Sequence, residues 1–149
     1  MNTAAEIAPL VKEIVVAAPI ERAWTAFTTE INAWWPVATH SIEPERVAEI
    51  VFEGRAGGRI VERWDDGTEN SWGEVELWEP PSRVRFSWQP NHERPAPTEV
   101  EVTFSAEDDG TRVRLEHRRW ERLGAGAAES RSSYDSGWDL VLGRYAAAT

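Results

Sequence analysis

The chain contains no cysteine among its 149 residues. That excludes a disulfide framework and any thiolate metal site. It also lacks a long apolar run, and nothing in it reaches the length needed to cross a bilayer as a helix. Basic residues are scarce relative to acidic ones, 16 against 26, which leaves a net charge of −10. A surface of that sign repels phosphate backbones and anionic lipid, so nucleic acid and membrane are excluded as expected partners. Only three histidines are present, His40, His92 and His117. Their spacings are long and unrelated, which is no metal signature. No GxSxG, HExxH, phosphate loop or dinucleotide fingerprint occurs. Neither a metal nor a cofactor is expected. The segment MNTAAEIAPLVKE at the start has no basic flank and no signal-like apolar block, which points to a cytoplasmic protein.

Tyrosine is also sparse, with two residues, yet there are nine tryptophans. Packing alone can be done with leucine and isoleucine. Tryptophan adds a large flat surface and an N–H that can meet a ligand oxygen. The excess therefore favours a lined cavity, provided the tryptophans face it.

The pattern along the chain is strand, short helices, strands, long helix. LVKEIVVAA (10–18) is rich in β-branched residues and reads as a strand. Pro19 suits a helix start, and Ile20, Ala23, Trp24 and Phe27 share one helical face over 20–28. A second short helix is expected over 30–35, stopped by Pro36. Six short strands follow at 46–53, 59–64, 71–78, 83–88, 99–104 and 111–117, separated by turn residues. EDDG (107–110) is a hairpin signal. From Glu129 to Ala148 the residues Tyr134, Trp138, Val141, Leu142 and Tyr145 form one apolar helical stripe. The order predicts a single α+β domain over 1–149: a strongly bent antiparallel sheet of about seven strands with a long C-terminal helix across its concave side.

Seven stretches in this order resemble a known family: AAPIERAW (17–24), AWWP (33–36), GGRIVE (57–62), WGEVELWEPP (72–81), RVRFSW (83–88), GTRVRLEH (110–117) and GWDLVL (137–142). Together they are similar to the START-like (SRPBCC, helix-grip) superfamily, in the branch named for activator of heat-shock-protein-90 ATPase homologues. The resemblance implies a helix-grip fold with a deep pocket between sheet and C-terminal helix. Members bind lipids, hormones or polyketides, and some are cyclases, so fold alone does not choose a function. The eukaryotic activator has an additional N-terminal domain for chaperone contact, for which this chain is expected to have no room.

Three functions follow as expectations. The first is binding of a small, largely apolar molecule, aromatic or lipid-like, with Trp34, Trp35, Phe86, Trp88, Phe104, Leu115, His117, Tyr134, Trp138 and Leu142 as ligand-binding residues. The second is a cyclase or aromatase-type enzyme with His117 as acid–base group and Glu74 or Tyr134 as partner. The third is a chaperone-associated interaction module. The leaning is away from an enzyme, and homodimerisation stays open.

Several residues carry a plainer reading beside the functional one. Trp24 is a core anchor, and one of Trp34 and Trp35 is core while the other lines the cavity. His117 shares a face with Val113 and Leu115, where a hydrogen-bonded core histidine is the stronger expectation. Glu74 and Arg119 are read as surface charges. Asp135 is read as favouring a helix N-terminus. The facing of Trp64, Trp72, Trp78 and Trp120 depends on strand register, which alternation alone does not fix.

Overall fold

The computed structural model describes residues 7–93 and 96–149. The first six residues, part of the segment read for a leader, lie outside the described residues, as do Arg94 and Pro95 in the loop read at 89–97. The elements run β1 (Leu10–Val16), α1 (Ile20–Phe27), β2 (Val47–Phe52), β3 (Arg59–Trp64), β4 (Glu69–Glu79), β5 (Arg83–Trp88), β6 (Thr98–Glu107), β7 (Gly110–Arg118) and α2 (Ala127–Ala148). The strands form one seven-stranded sheet in the order β1-β7-β6-β5-β4-β3-β2, and every neighbouring pair is antiparallel. Five successive hairpins build β2 to β7, and the sheet is completed when β1 pairs with β7. This is the α+β helix-grip arrangement, a curled sheet gripping its C-terminal helix.

Alternation explains the two faces. Val84, Phe86 and Trp88 lie opposite Val102, Val100 and Thr98, and Phe104, Val102 and Val100 lie opposite Val113, Leu115 and His117. All of these are buried, because i, i+2 and i+4 of a strand share a face. The intervening residues face outward and carry charge. Arg118 bridges Glu99 at 2.6 Å and Glu101 at 2.9 Å across that outer surface. EDDG makes the tight connection between β6 and β7, with Glu107 paired to Gly110. Gly110 has no room for a side chain, since a Cβ would meet the Val16 carbonyl oxygen at 2.2 Å.

Helix α2 buries Trp138, Val141, Leu142 and Tyr145, spaced i, i+3, i+4 and i+7. Two anchors fix it, one near its C-terminal end and one at its middle. The Tyr145 hydroxyl donates to the Ala23 carbonyl of α1 at 2.8 Å, and Lys12 of β1 pairs with Asp135 and with Asp139 at 2.9 Å.

The structure corrects three expectations. The helix expected over 30–35 is a three-residue 3-10 turn, Ile31–Ala33. Asn32 turns its side chain away to accept the Ile50 N–H at 2.8 Å, and Pro36 has no N–H with which to extend the turn. The first strand stops at Val16, because the chain bends there and Thr111 Oγ1 takes the Ala18 carbonyl at 2.7 Å. Helix α2 begins at Ala127, two residues earlier than expected. Tyr134 and Asp135 are therefore well inside the helix, and Asp135 serves Lys12 rather than the helix terminus. The Lys12 ammonium holds the Asp135 carboxyl below its ordinary value.

Candidate functional site

A cavity of about 530 Å³ opens between β4, β5, the 35–42 segment and α2. Its walls are aromatic. Trp35, Trp72, Trp88 and Trp138 form one cluster, with ring centroids 5.0 Å apart for Trp35–Trp72, 5.5 Å for Trp72–Trp88 and 5.8 Å for Trp88–Trp138. Tyr134 joins them, accepting the Trp88 indole N–H at 3.1 Å. The polar lining comes from His40, Ser41, Asn70, Asn91, His92 and Glu93.

Trp34 and Trp35, both expected to meet a ligand, take different places. Trp35 lines the cavity and donates its indole N–H to the His40 carbonyl at 2.8 Å. Trp34 points the other way, packs on Phe27 and Tyr145, and donates to the Ala26 carbonyl at 2.7 Å. It is core.

Of the ten residues expected to meet a ligand, Trp35, Trp88, Tyr134 and Trp138 line the cavity. Trp34, Phe86, Phe104, Leu115, His117 and Leu142 are buried outside its lining. They face inward as expected, but neighbouring side chains cover them.

His117 takes the plainer of its two roles, a hydrogen-bonded core histidine, and is not part of the cavity lining. It is fully buried and sits against the Trp120 ring, centroid to centroid 4.0 Å. Trp138 Nε1–H donates to its Nδ1 at 3.0 Å. Nδ1 is thus an acceptor, so the ring proton lies on Nε2 and is donated to Thr98 Oγ1 at 2.7 Å. Thr98 in turn donates to the Trp88 carbonyl at 3.1 Å. Burial pushes the imidazole down to a pKa of about 3, so it stays neutral. Both nitrogens are used and the ring does not reach the cavity, which leaves it no proton to exchange with a ligand. Glu74, its suggested partner, is exposed on the outer face of β4. The alternation Trp72, Glu74, Glu76 is broken by a bulge, so Glu74 cannot turn inward with Trp72. Arg119 is exposed as expected, with a left-handed φ of 70°.

The remaining tryptophans now have positions. Trp72 is cavity wall, and Trp120 is core beneath His117. Trp78 packs edge-on against Trp24 at 5.0 Å. Trp64 lies under the Arg46 guanidinium at 4.3 Å, a cation–π contact.

Two features of the site escaped the sequence reading. The first is Glu62, whose side chain is wholly buried. Its two oxygens accept four N–H groups: the backbone of Ile42 at 2.7 Å and Glu43 at 2.9 Å, and the indoles of Trp64 at 2.8 Å and Trp72 at 3.1 Å. Glu62 thereby ties the cavity-lining loop to β3 and sets the tilt of Trp72. Its signal was present, since Ile60, Glu62 and Trp64 share one strand face and a glutamate there has to find donors. The second feature is the loop itself. His40 is steadied by the Thr39 hydroxyl on Nδ1 at 2.7 Å, and its Nε2 faces Gly137 of α2. His92 Nε2 meets the Ser71 carbonyl at 2.6 Å. Loop residues follow no periodicity, so nothing in the sequence brought His40 and His92 to one place.

Trp72 reaches the cavity because of a local irregularity. Ile60 pairs with Gly73 while Val61 pairs with Ser71, so Trp72 is an extra residue in β4. A bulge of this kind re-aims a side chain. Among the described residues no three His, Asp or Glu stand together as a metal site needs, and no helix is long and apolar enough to cross a membrane.

Sheet, gripped helix and aromatic cavity together define a START-like helix-grip protein. The family model described as Activator of Hsp90 ATPase homolog 1-like protein matches residues 17–148, and the chain belongs to that family. Solved structures carry the same fold. The protein MLL2253 from Mesorhizobium loti is 20% identical with a TM-score of 0.69, covering 93% of both chains. The Aha1 dimer from Colwellia psychrerythraea is 21% identical with a TM-score of 0.63, covering 91% of both. Txn09, described as an anthrahydroquino-gamma-pyrone synthase complexed with SUM, is 34% identical with a TM-score of 0.58, covering 88% of this chain and 89% of that one. No curated protein shows significant similarity.

Proposed function

We propose that this chain binds a planar, largely apolar aromatic molecule of polyketide type in the cavity between sheet and α2. The observation that carries the reading is the wall of four indoles and a phenol around about 530 Å³ of space. That volume falls within the roughly 300–1,000 Å³ of small-molecule sites. Flat indole faces favour flat ring systems over a flexible acyl chain, because stacked and edge-on ring contacts add to area burial. The 34% identity to a protein described as a synthase of a fused aromatic product supports the same ligand class. Affinity comes from apolar burial at about 25 cal/mol per Å², and the polar side chains of the lining orient the ring.

Tryptophan fluorescence titration tests it, with anthraquinone as the planar probe and a saturated fatty acid as the flexible one. The expected result is saturable quenching by anthraquinone alone, with a rise in melting temperature. Silence with both probes overturns the reading. Saturation by the fatty acid alone replaces it with a lipid site.

A second reading is turnover of such a molecule in the manner of a cyclase. It is favoured by His40 and His92, which stand at the cavity where His117 does not. An imidazole can act as general acid or base toward a bound molecule. The discriminating result is loss of product formation in His40→Ala or His92→Ala with anthraquinone quenching retained.

A further inference from the structure

Asn70 sits one pleat before Trp72 on β4 and lines the aromatic cavity. Its Nδ2 is sealed from solvent and has no hydrogen-bond partner, and among the described residues no other buried side-chain nitrogen or oxygen is left that way. The reason lies directly across the ladder. Asn70 pairs in register with Glu62, a strong acceptor on the same face of the ladder. Glu62 already accepts four N–H groups, from Ile42, Glu43, Trp64 and Trp72. Two carboxylate oxygens offer about four lone-pair sites, so none is left for the asparagine. The asparagine thus stands across the ladder from a filled acceptor and lines the cavity.

A buried donor without a partner costs free energy, and that cost is recovered when an acceptor arrives. The terminal torsion of asparagine is soft, so a small rotation carries the nitrogen to the cavity surface. We propose that Asn70 is the specificity-determining contact of this site: its Nδ2–H donates to a ring carbonyl oxygen of an aromatic ligand seated against Trp72. The inference rests on the aromatic-site reading above and deepens it. It assigns the ligand an acceptor oxygen at one edge, as in a quinone or a fused pyranone, and it disfavours an unsubstituted hydrocarbon. The apolar walls then supply affinity while Asn70 supplies orientation, because a polar wall group left unpaired discriminates strongly against the ligand that lacks its complement.

The test compares anthraquinone with anthracene, which has the same outline and no oxygen, on the wild type, Asn70→Leu and Asn70→Asp. Leucine keeps the approximate shape without a donor, and aspartate replaces the donor nitrogen with an acceptor oxygen. The ratio of anthraquinone to anthracene affinity is expected to fall about tenfold in both variants, the equivalent of one hydrogen bond. The infrared carbonyl stretch of bound anthraquinone moves to lower frequency in the wild type and loses that shift in both variants. An unchanged ratio and an unshifted stretch overturn the assignment while leaving the aromatic site standing. Failure of both compounds to bind the wild type overturns the site and the assignment together. A wild-type preference for 2-anthrol over anthraquinone, kept in Asn70→Asp and lost in Asn70→Leu, overturns the donor role.

Discussion

The imidazole of His117 rests on Trp120 and lies between the indole of Trp138 and the hydroxyl of Thr98. Strand alternation was enough to turn it inward, beside Val113 and Leu115. Depth was not legible, because it depends on whether Trp138 and Trp120 close over the ring, and those come from other elements. The same distinction separates Trp35 from Trp34, and Trp88 from Phe86. Facing is a property of one strand; lining is a property of everything packed above it. The buried histidine has a consequence for stability. Its folded pKa is about 3, against an ordinary 6.5, so below pH 6.5 the unfolded chain binds a proton that the folded chain does not. Stability is complete above pH 6.5 and falls as the pH drops toward 3, at about 1.4 kcal/mol per unit. About 2 kcal/mol is expected to go between pH 6.5 and pH 5. Urea denaturation across that range checks it, and His117→Gln, which keeps a donor and an acceptor, flattens the slope. Glu62 gives a second prediction at this scale. In Glu62→Gln one acceptor oxygen becomes an NH₂ group facing N–H donors, so at least one buried donor loses its partner. A loss of about 2–4 kcal/mol is expected, read as a melting temperature lower by several degrees. Quenching by anthraquinone should weaken as well, since Trp72 and the 40–43 loop lose their anchor.

The elements explain why a cavity exists at all. All seven strands and the long helix were legible in the sequence, while the 3-10 turn at Ile31–Ala33 and the bulge at Trp72 were not. Both irregularities arise from partners distant in sequence, Ile50 for the Asn32 side chain and the β3 ladder for Trp72. Between the loop and α2 the spacing is held by a residue with no side chain. Gly137 lies in the helix interior, where glycine is unfavourable by about 1 kcal/mol relative to alanine. A Cβ placed there would stand 3.7 Å from His40 Nε2, an ordinary contact. Gly137→Ala is therefore tolerated sterically and stabilises the helix, but it adds a methyl group at the cavity wall. Gly143, also in α2, has nothing within 4 Å of such a Cβ. The two substitutions make a pair: each is expected to raise stability by about 0.5–1 kcal/mol, and only Gly137→Ala should weaken anthraquinone binding. Equal binding by both variants would mean that the ligand does not pass between His40 and α2.

At the scale of the whole molecule, charge and cavity act together. The sheet order and the gripped helix were readable because seven ordered stretches resemble one family and because each hairpin is local. The identity of the ligand was not, because a pocket is the space left between elements and no single stretch encodes it. Net charge is a sequence property that does reach the site. The molecule carries −10, and among the described residues the cavity lining includes Glu93 but neither lysine nor arginine. None of the described lining residues carries a permanent positive charge to hold an anion, so the surrounding field works against one. A neutral aromatic pays no such penalty. Anthraquinone and anthraquinone-2-sulfonate share a ring system and differ by one negative charge. The sulfonate is expected to bind more weakly at low salt and to gain affinity as salt rises, since screening lengths shrink from about 30 Å at 0.01 M to about 8 Å at 0.15 M. The affinity of the neutral quinone should stay level over the same range. Isothermal titration at the two salt concentrations separates the cases. A sulfonate that binds more tightly than the quinone and weakens with salt would place an unrecognised cation at the site, and the natural ligand would then be an acid.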